Sequence, residues 1–186
     1  MKAHYYPSLS MDTEGPMNLY LMRHGIALDV GENGIRRDAD RPLSEEGRRR
    51  VKCIAEGLRG LMDRPDLVVA SPLLRARQTA EIVARQWGSA ADPAVCESLA
   101  PHGSAEDFFS WLQRVLPRNV LAVGHMPDLS DLASVLLFGR AGAGFDFRKG
   151  SVAAFGCESR PRPGRFHMRW FLPPRIFRRL GESDPP

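Results

Sequence analysis

Most of the chemistry this sequence can perform lies in three short clusters: Arg23-His24-Gly25, Ser71-Pro72-Leu73-Leu74-Arg75-Ala76-Arg77-Gln78-Thr79, and Gly124-His125-Met126-Pro127. An arginine keeps its charge at any working pH and presents a rigid fork of donors, so it grips an oxyanion. A histidine beside it is a nucleophile or a proton carrier near neutral pH. Arg-His-Gly alone would equally suit a turn with two solvated side chains. The setting argues otherwise, because each cluster directly follows an apolar run: Asn18 to Met22, Leu67 to Ala70, and Val120 to Val123. Short apolar runs closed by turn residues read as buried strands, and ligands in open α/β sheets bind at the carboxyl ends of such strands.

The elements that must position these clusters follow from periodicity. The loop Ile26 to Leu43 is long and charged, which suits a functional loop. Ser44 is the expected cap of a helix with Glu45 and Glu46 in its first turn and Val51, Ile54, Ala55, Leu58, Leu61 and Met62 facing inward. Ser71-Pro72 is read as a cap plus first-turn proline, with a helix to about Trp87. A short strand near Val95 follows. Ser104 to Asp107 has capping-box spacing and opens a third helix. Pro127 and Asp128 start a fourth, with Leu129, Leu132, Ala133 and Leu136 on one face. Ser151 to Cys157 and Phe166 to Leu172 read as an antiparallel pair at the sheet edge. Strands alternating with helices predict an α/β fold of three layers, α/β/α, with a mostly parallel central sheet. The expected division is an N-terminal extension without fixed structure over 1–16 (Met17 being an alternative start), one domain over 17–174, and a short basic tail over 175–186.

These residues resemble the histidine phosphatase superfamily, the phosphoglycerate-mutase-like fold, and within it the SixA-like branch of phosphohistidine phosphatases. The resemblance rests on Arg23-His24-Gly25, Arg41-Pro42-Leu43-Ser44 with Gly47, Ser71-Pro72 with Arg75-Ala76 and Gln78-Thr79, and Gly124-His125. It runs from about Met17 to about Pro173. It implies that His24 attacks phosphorus and carries a phosphohistidine intermediate, that Arg23 and Arg75 clamp the phosphate, and that protonated His125 stabilises the developing charge. Arg41 would join the phosphate pocket, although its alternative is a loop ion pair with Asp38 or Asp40. Phosphoryl transfer needs positioning and positive charge around the equatorial oxygens, which arginines and histidines supply, so no metal and no cofactor is called for.

One departure bears on the substrate. Many mutase-like relatives carry an acidic proton donor in a Leu-x-Glu pattern, where this chain has Leu99-Ala100-Pro101. SixA-like members also lack that acid. An alkoxide leaves badly without a proton, whereas an imidazole leaving phosphohistidine needs less help. Glu97, Glu106 and Asp107 lie near enough in sequence to substitute. The leading expectation is therefore a phosphatase acting on phosphohistidine in a protein, such as a histidine phosphotransfer domain. The rivals are a small-molecule phosphomonoesterase with the same machinery and a non-catalytic phosphate-binding module.

Composition sets the outer limits. The chain has 186 residues, 43% hydrophobic and 26% charged, which is ordinary for one globular domain. No apolar run is long enough for a membrane span. Cys53, Cys96 and Cys157 form no paired motif and read as free thiols in a reducing cytosol, so the expected location is cytoplasmic. The net charge is +4, and between Arg140 and Arg179 ten Arg or Lys face two acids. With no nucleic-acid motif beside it, that excess reads as a solvated surface that concentrates phosphorylated substrate. Neither a nucleic acid nor a membrane is an expected partner.

Overall fold

The computed structural model describes residues 16–89 and 92–181. The expected N-terminal extension, apart from Pro16, and the last five residues of the tail, 182–186, lie outside the described residues.

The described strands are β1 (Met17–Arg23), β2 (Leu67–Ala70), β3 (Ala94–Val95), β4 (Asn119–Gly124), β5 (Val152–Cys157) and β6 (His167–Leu172). They form one sheet in the order β3-β2-β4-β1-β5-β6. The pairings from β3 through β1 are parallel; β5 runs antiparallel to β1, and β6 to β5. The last two strands are thus the expected antiparallel pair, but β5 lies inside the sheet and only β6 forms the edge. Side chains alternate faces along β1. Leu19 and Leu21 pack with Phe108, Leu112, Leu129 and Leu136 on one face. Tyr20 and Met22 pack with Val51, Ile54, Leu58 and Val83 on the other. A strand buried on both faces has to be apolar throughout, which explains the Leu-Tyr-Leu-Met run.

The helices α1 (Glu45–Leu58), α2 (Leu74–Arg85) and, at the C-terminal end, α5 (Pro174–Gly181) cover the second face, while α3 (Ala105–Val115) and α4 (Asp128–Phe138) cover the first. This is the three-layer α/β/α arrangement. The Ser44 hydroxyl accepts from the Gly47 N–H at 3.0 Å, and the Ser104 hydroxyl from the Asp107 N–H at 3.1 Å, so both caps stand where the sequence put them. Two expectations change. Ser71-Pro72 does not cap α2: the helix starts at Leu74, after Leu73, and Ser71 is freed for another task. Most of the basic tail is the helix α5, whose Phe177 is fully buried against α1. Hydrophobic burial there outweighs the run of charges that made the segment look like a solvated tail.

The connection after β1 leads to α1 on one face, and the connection after β4 leads to α4 on the other. Two neighbouring strands whose chains depart in opposite directions leave a crevice between their carboxyl ends. Arg23 at the end of β1 is in register with Gly124 at the end of β4. His24 and His125 are the next residues of each.

Candidate active site

His24 is 6% exposed and its Nδ1 lies 2.6 Å from the Gly25 carbonyl oxygen. A carbonyl only accepts, so Nδ1 carries the ring proton and Nε2 keeps its lone pair. The Arg75 Nε–H donates to that Nε2 at 3.3 Å. Burial, reinforced by the charges of His125, Arg75 and Arg23, pushes the His24 pKa down to about 3 against the opposing pull of the Gly25 carbonyl. At neutral pH the ring is therefore an uncharged base with an exposed-electron nitrogen aimed at an arginine. Gly25 is required beside it: a Cβ there would come within 2.6 Å of Val51 Cγ2. The Gly25 N–H in turn donates to Thr79 Oγ1 at 3.1 Å, and that hydroxyl donates to the Arg75 carbonyl at 2.7 Å. Thr79 thus ties the turn that carries His24 to the helix that carries Arg75.

Arg75 is 5% exposed although it is an arginine. Being near the start of α2, it leans back toward the sheet edge. Besides His24, it donates from Nη1 to the Asp38 carbonyl at 2.8 Å and from Nη2 to Asp38 Oδ2 at 3.0 Å. Asp38 belongs to the long first loop. The base of that loop is closed by the Leu28 N–H to the Pro42 carbonyl at 3.0 Å and by the Leu43 N–H to Gln78 Oε1 at 2.8 Å. Burial works to raise the Asp38 carboxyl, but the hydrogen bonds and charges of Arg41 and Arg75 outweigh it and hold the group below the usual carboxylate range.

His125 is 3% exposed, and its ring centroid lies 5.0 Å from that of His24. Its Nε2 is 2.8 Å from Ser71 Oγ, and its Nδ1 is buried without a hydrogen-bond partner. When the Ser71 hydroxyl donates to Nε2, Nδ1 carries the proton and is a donor for an incoming oxyanion. Burial and the Arg75 charge push the His125 pKa down to about 4, with Asp38 opposing. The sequence pictured this ring as protonated. At neutral pH it is uncharged, because burial disfavours the charged form and two arginines repel a further positive charge.

Arg23 donates from Nη1 to the Phe147 carbonyl at 2.7 Å, and its Nε is buried without a partner. The crevice therefore gathers His24, Arg75, His125 and Arg23, and every charge acting on the two rings comes from within this set and from Asp38. Arg41 lies one step out. Its donors go to the Leu28 carbonyl at 2.6 Å, Asp29 Oδ1 at 2.5 Å and Asp38 Oδ1 at 3.0 Å, which is the loop pairing and not a direct contact with either histidine. It reaches the site through the shared Asp38.

The acids considered as proton donors form no hydrogen bond with either histidine. The Glu106 carboxylate accepts from the Ser104 hydroxyl at 3.0 Å, and Glu97 and Asp107 line a surface groove with His102, Trp111 and Arg114. Sequence reasoning missed Asp38 as the partner of Arg75, and also the structural use of Ser71 and Thr79. It missed Asp128 as well, which lines a small cavity with His125, accepts from the His102 N–H at 3.0 Å and keeps Oδ2 buried without a partner. The only signal for Asp38 was its place in the loop beside Arg41. Among the described residues no group of three His, Cys, Asp or Glu is arranged to hold a metal ion, and no helix is long and apolar enough to cross a membrane. Cys96 and Cys157 are buried and Cys53 half-buried, all as free thiols.

Comparison with known proteins agrees with this geometry. Residues 19–116 match the family model described as histidine phosphatase superfamily (branch 1). An uncharacterized protein of Picosynechococcus sp. is 40% identical over 140 residues, covering 73% of this chain and 82% of that protein. Phosphohistidine phosphatase SixA of Escherichia coli K12 is 30% identical over 124 residues, covering 64% of this chain and 74% of SixA. The structure of the protein histidine phosphatase SixA complexed with tungstate superposes with a TM-score of 0.74 at 26% identity, covering 86% of this chain and 99% of that one.

Proposed function

The chain belongs to the histidine phosphatase superfamily, and from that premise we propose that it removes the phosphoryl group from phosphohistidine in a protein, through a covalent intermediate on His24 and without a metal. The observation that carries this reading is the pairing of the lone pair on His24 Nε2 with the buried Arg75 guanidinium at 3.3 Å. A phosphoryl oxyanion entering the crevice takes the Arg75 donor and uncovers the nucleophile it was holding.

In the first step Nε2 of His24 attacks phosphorus in line, a P–N bond forms, and the bond to the departing imidazole breaks with its electron pair leaving on that nitrogen. Arg23 and Arg75 hold the equatorial oxygens. His125, neutral before substrate binds, gains a favourable partner as the anion enters, so its proton affinity rises when a charged donor is useful. In the second step water attacks phosphorus, the P–Nε2 bond breaks with its electron pair returning to Nε2, and the water's protons leave on the departing phosphate, so His24 is restored neutral. Gly25 fixes the tautomer throughout.

The substrate reading is supported by the acids. Asp38 is held ionised by two arginines and cannot donate a proton, and Glu97, Glu106 and Asp107 form no hydrogen bond with either histidine. A leaving group that needs little protonation suits such a site. One observation favours the second reading, a small-molecule phosphomonoesterase: Asp128 shares a cavity with His125 and has an unpartnered oxygen.

The test is release of phosphate from a phosphohistidine protein beside sugar phosphates and p-nitrophenyl phosphate, in EDTA, with tungstate as the expected competitive inhibitor. We expect fast loss of phosphohistidine, slow turnover of esters, and no turnover by His24→Ala. Fast ester hydrolysis that Asp128→Asn abolishes would transfer the assignment to the second reading. Full phosphohistidine turnover in His24→Ala would remove the covalent mechanism altogether.

A further inference from the structure

Beside Arg23, on the side away from His125, a groove of about 450 Å³ is rimmed by Arg23, Arg50, Arg148, Lys149 and Arg175 and lined by no carboxylate. Its floor is Ile26, Pro173 and Pro174. We propose that this groove docks an acidic, extended polypeptide segment flanking the phosphorylated residue of the protein substrate. The proposal rests on the reading of the substrate as a phosphoprotein.

Besides Arg23 at the end of β1, the rim is assembled from three distant parts of the chain. Arg50 comes from α1, Arg148 and Lys149 from the turn before β5, and Arg175 from the first turn of α5. The turn is bound directly to the catalytic strand end. The Arg23 side chain donates to the Phe147 carbonyl at 2.7 Å, the Gly150 N–H to the Arg23 carbonyl at 3.1 Å, and the Arg23 N–H to the Ser151 carbonyl at 3.1 Å. Gly150 takes φ +86°, and a Cβ there would lie 2.7 Å from Ile54 Cδ1, so the turn sits hard against α1. The start of α5 is held by buried Phe177, with Gly57 letting the two helices meet: a Cβ on it would lie 2.3 Å from the Phe177 carbonyl oxygen.

Like charges gathered on one concave surface repel, and folding alone gives no reason to leave them uncompensated. Here compensation is sparse. Glu46 pairs with Arg50, and Asp146 lies 3.7 Å from Arg148 with both side chains over 70% exposed. Among the described residues, neither Lys149 nor Arg175 has an ion-pair partner, and the Nε atoms of Arg23 and Arg50 are buried without one. The occupant that fits is anionic and extended, with side-chain methylenes to lay on the Ile26, Pro173 and Pro174 lining. Single-stranded nucleic acid wants aromatic platforms for its bases, and the groove presents no aromatic ring. A lipid surface wants a projecting apolar face, and this is a concavity.

The test uses the full chain with three phosphohistidine probes: a peptide flanked by Asp and Glu, the same peptide flanked by Ser, and the free phosphorylated amino acid. For the unaltered protein we expect kcat/KM for the acidic peptide to exceed that for the serine peptide roughly tenfold at low salt, and the gap to close at high salt. The exposed double substitution Lys149→Glu with Arg175→Glu should erase the preference and leave turnover of the free amino acid unchanged. Equal rates on both peptides, or an equal loss on all three probes in the double variant, would overturn the docking role. A protein that hydrolyses none of the probes would refute the substrate reading instead. The groove is then judged by fluorescence anisotropy with the unphosphorylated acidic peptide. Binding to the unaltered protein and not to the double variant supports the groove; no binding, or tighter binding of an oligonucleotide or an anionic vesicle, overturns it.

Discussion

The two sides of His24 treat positive charge in opposite ways. Toward β4 and α2, the cation is Arg75, buried, with Nε, Nη1 and Nη2 each committed to a fixed partner. Toward α5, the cations are Arg148, Lys149 and Arg175, exposed and with few partners. Charge that must meet a developing oxyanion at a defined distance has to be immobile before substrate arrives, since a preorganised dipole costs no rearrangement in the transition state. Charge that only gathers substrate works best when free and solvated, and it is screened by salt. One surface of one domain thus holds both uses, divided by Arg23, which has an orphaned Nε and belongs to each.

If that division is right, substitutions on the buried side should act on kcat. Arg75→Lys keeps the charge but loses the fork, and with it at least two of the three contacts to His24 and Asp38. Turnover should fall about 10²- to 10³-fold in steady-state assays, the scale for losing one preorganised donor. A loss confined to KM would show that Arg75 is a gathering charge and the contrast is false.

Asp38→Asn should act more mildly. The amide still reaches Arg75 but no longer fixes it by charge, and it no longer competes with phosphate for the guanidinium. We expect kcat to fall roughly tenfold with KM unchanged or lower, the pattern of a positioning residue. A raised KM with unaltered kcat would remove the positioning role.

The smallest effect is on stability. His24 and His125 have folded-state pKa values of about 3 and about 4, below the ordinary histidine value. The unfolded chain therefore binds more protons between those values and about 6.5, so stability rises with pH across that window and is lost on acidification. Each ring should cost on the order of 2 kcal/mol at pH 5 relative to pH 7. Melting temperatures measured across that range should fall by several degrees, and His24→Asn with His125→Asn should flatten the slope. An unchanged slope in the double variant would mean that neither ring is kept neutral by burial.

The sequence determined the layers, the strands and which basic side chains gather at the strand ends. Buried parallel strands need near-continuous apolar runs, caps need Ser at fixed spacing, and a histidine with two arginines at strand ends has few other uses. Those are local or periodic properties, and Leu19-Tyr20-Leu21-Met22, Ser44, Ser104 and the three basic clusters carry them openly. Tertiary structure alone decided what each charge does. Asp38 meets Arg75 across 37 positions of sequence, and Ser71 meets His125 across 54, so no spacing rule could pair them. Arg41 offered either a phosphate contact or a loop ion pair, and only the fold shows that it meets Asp29 and Asp38. The basic tail became a helix because one residue, Phe177, found a buried place on α1. Both histidines are neutral because desolvation and neighbouring guanidiniums act through space, and that sum exists only once the chain has closed around them.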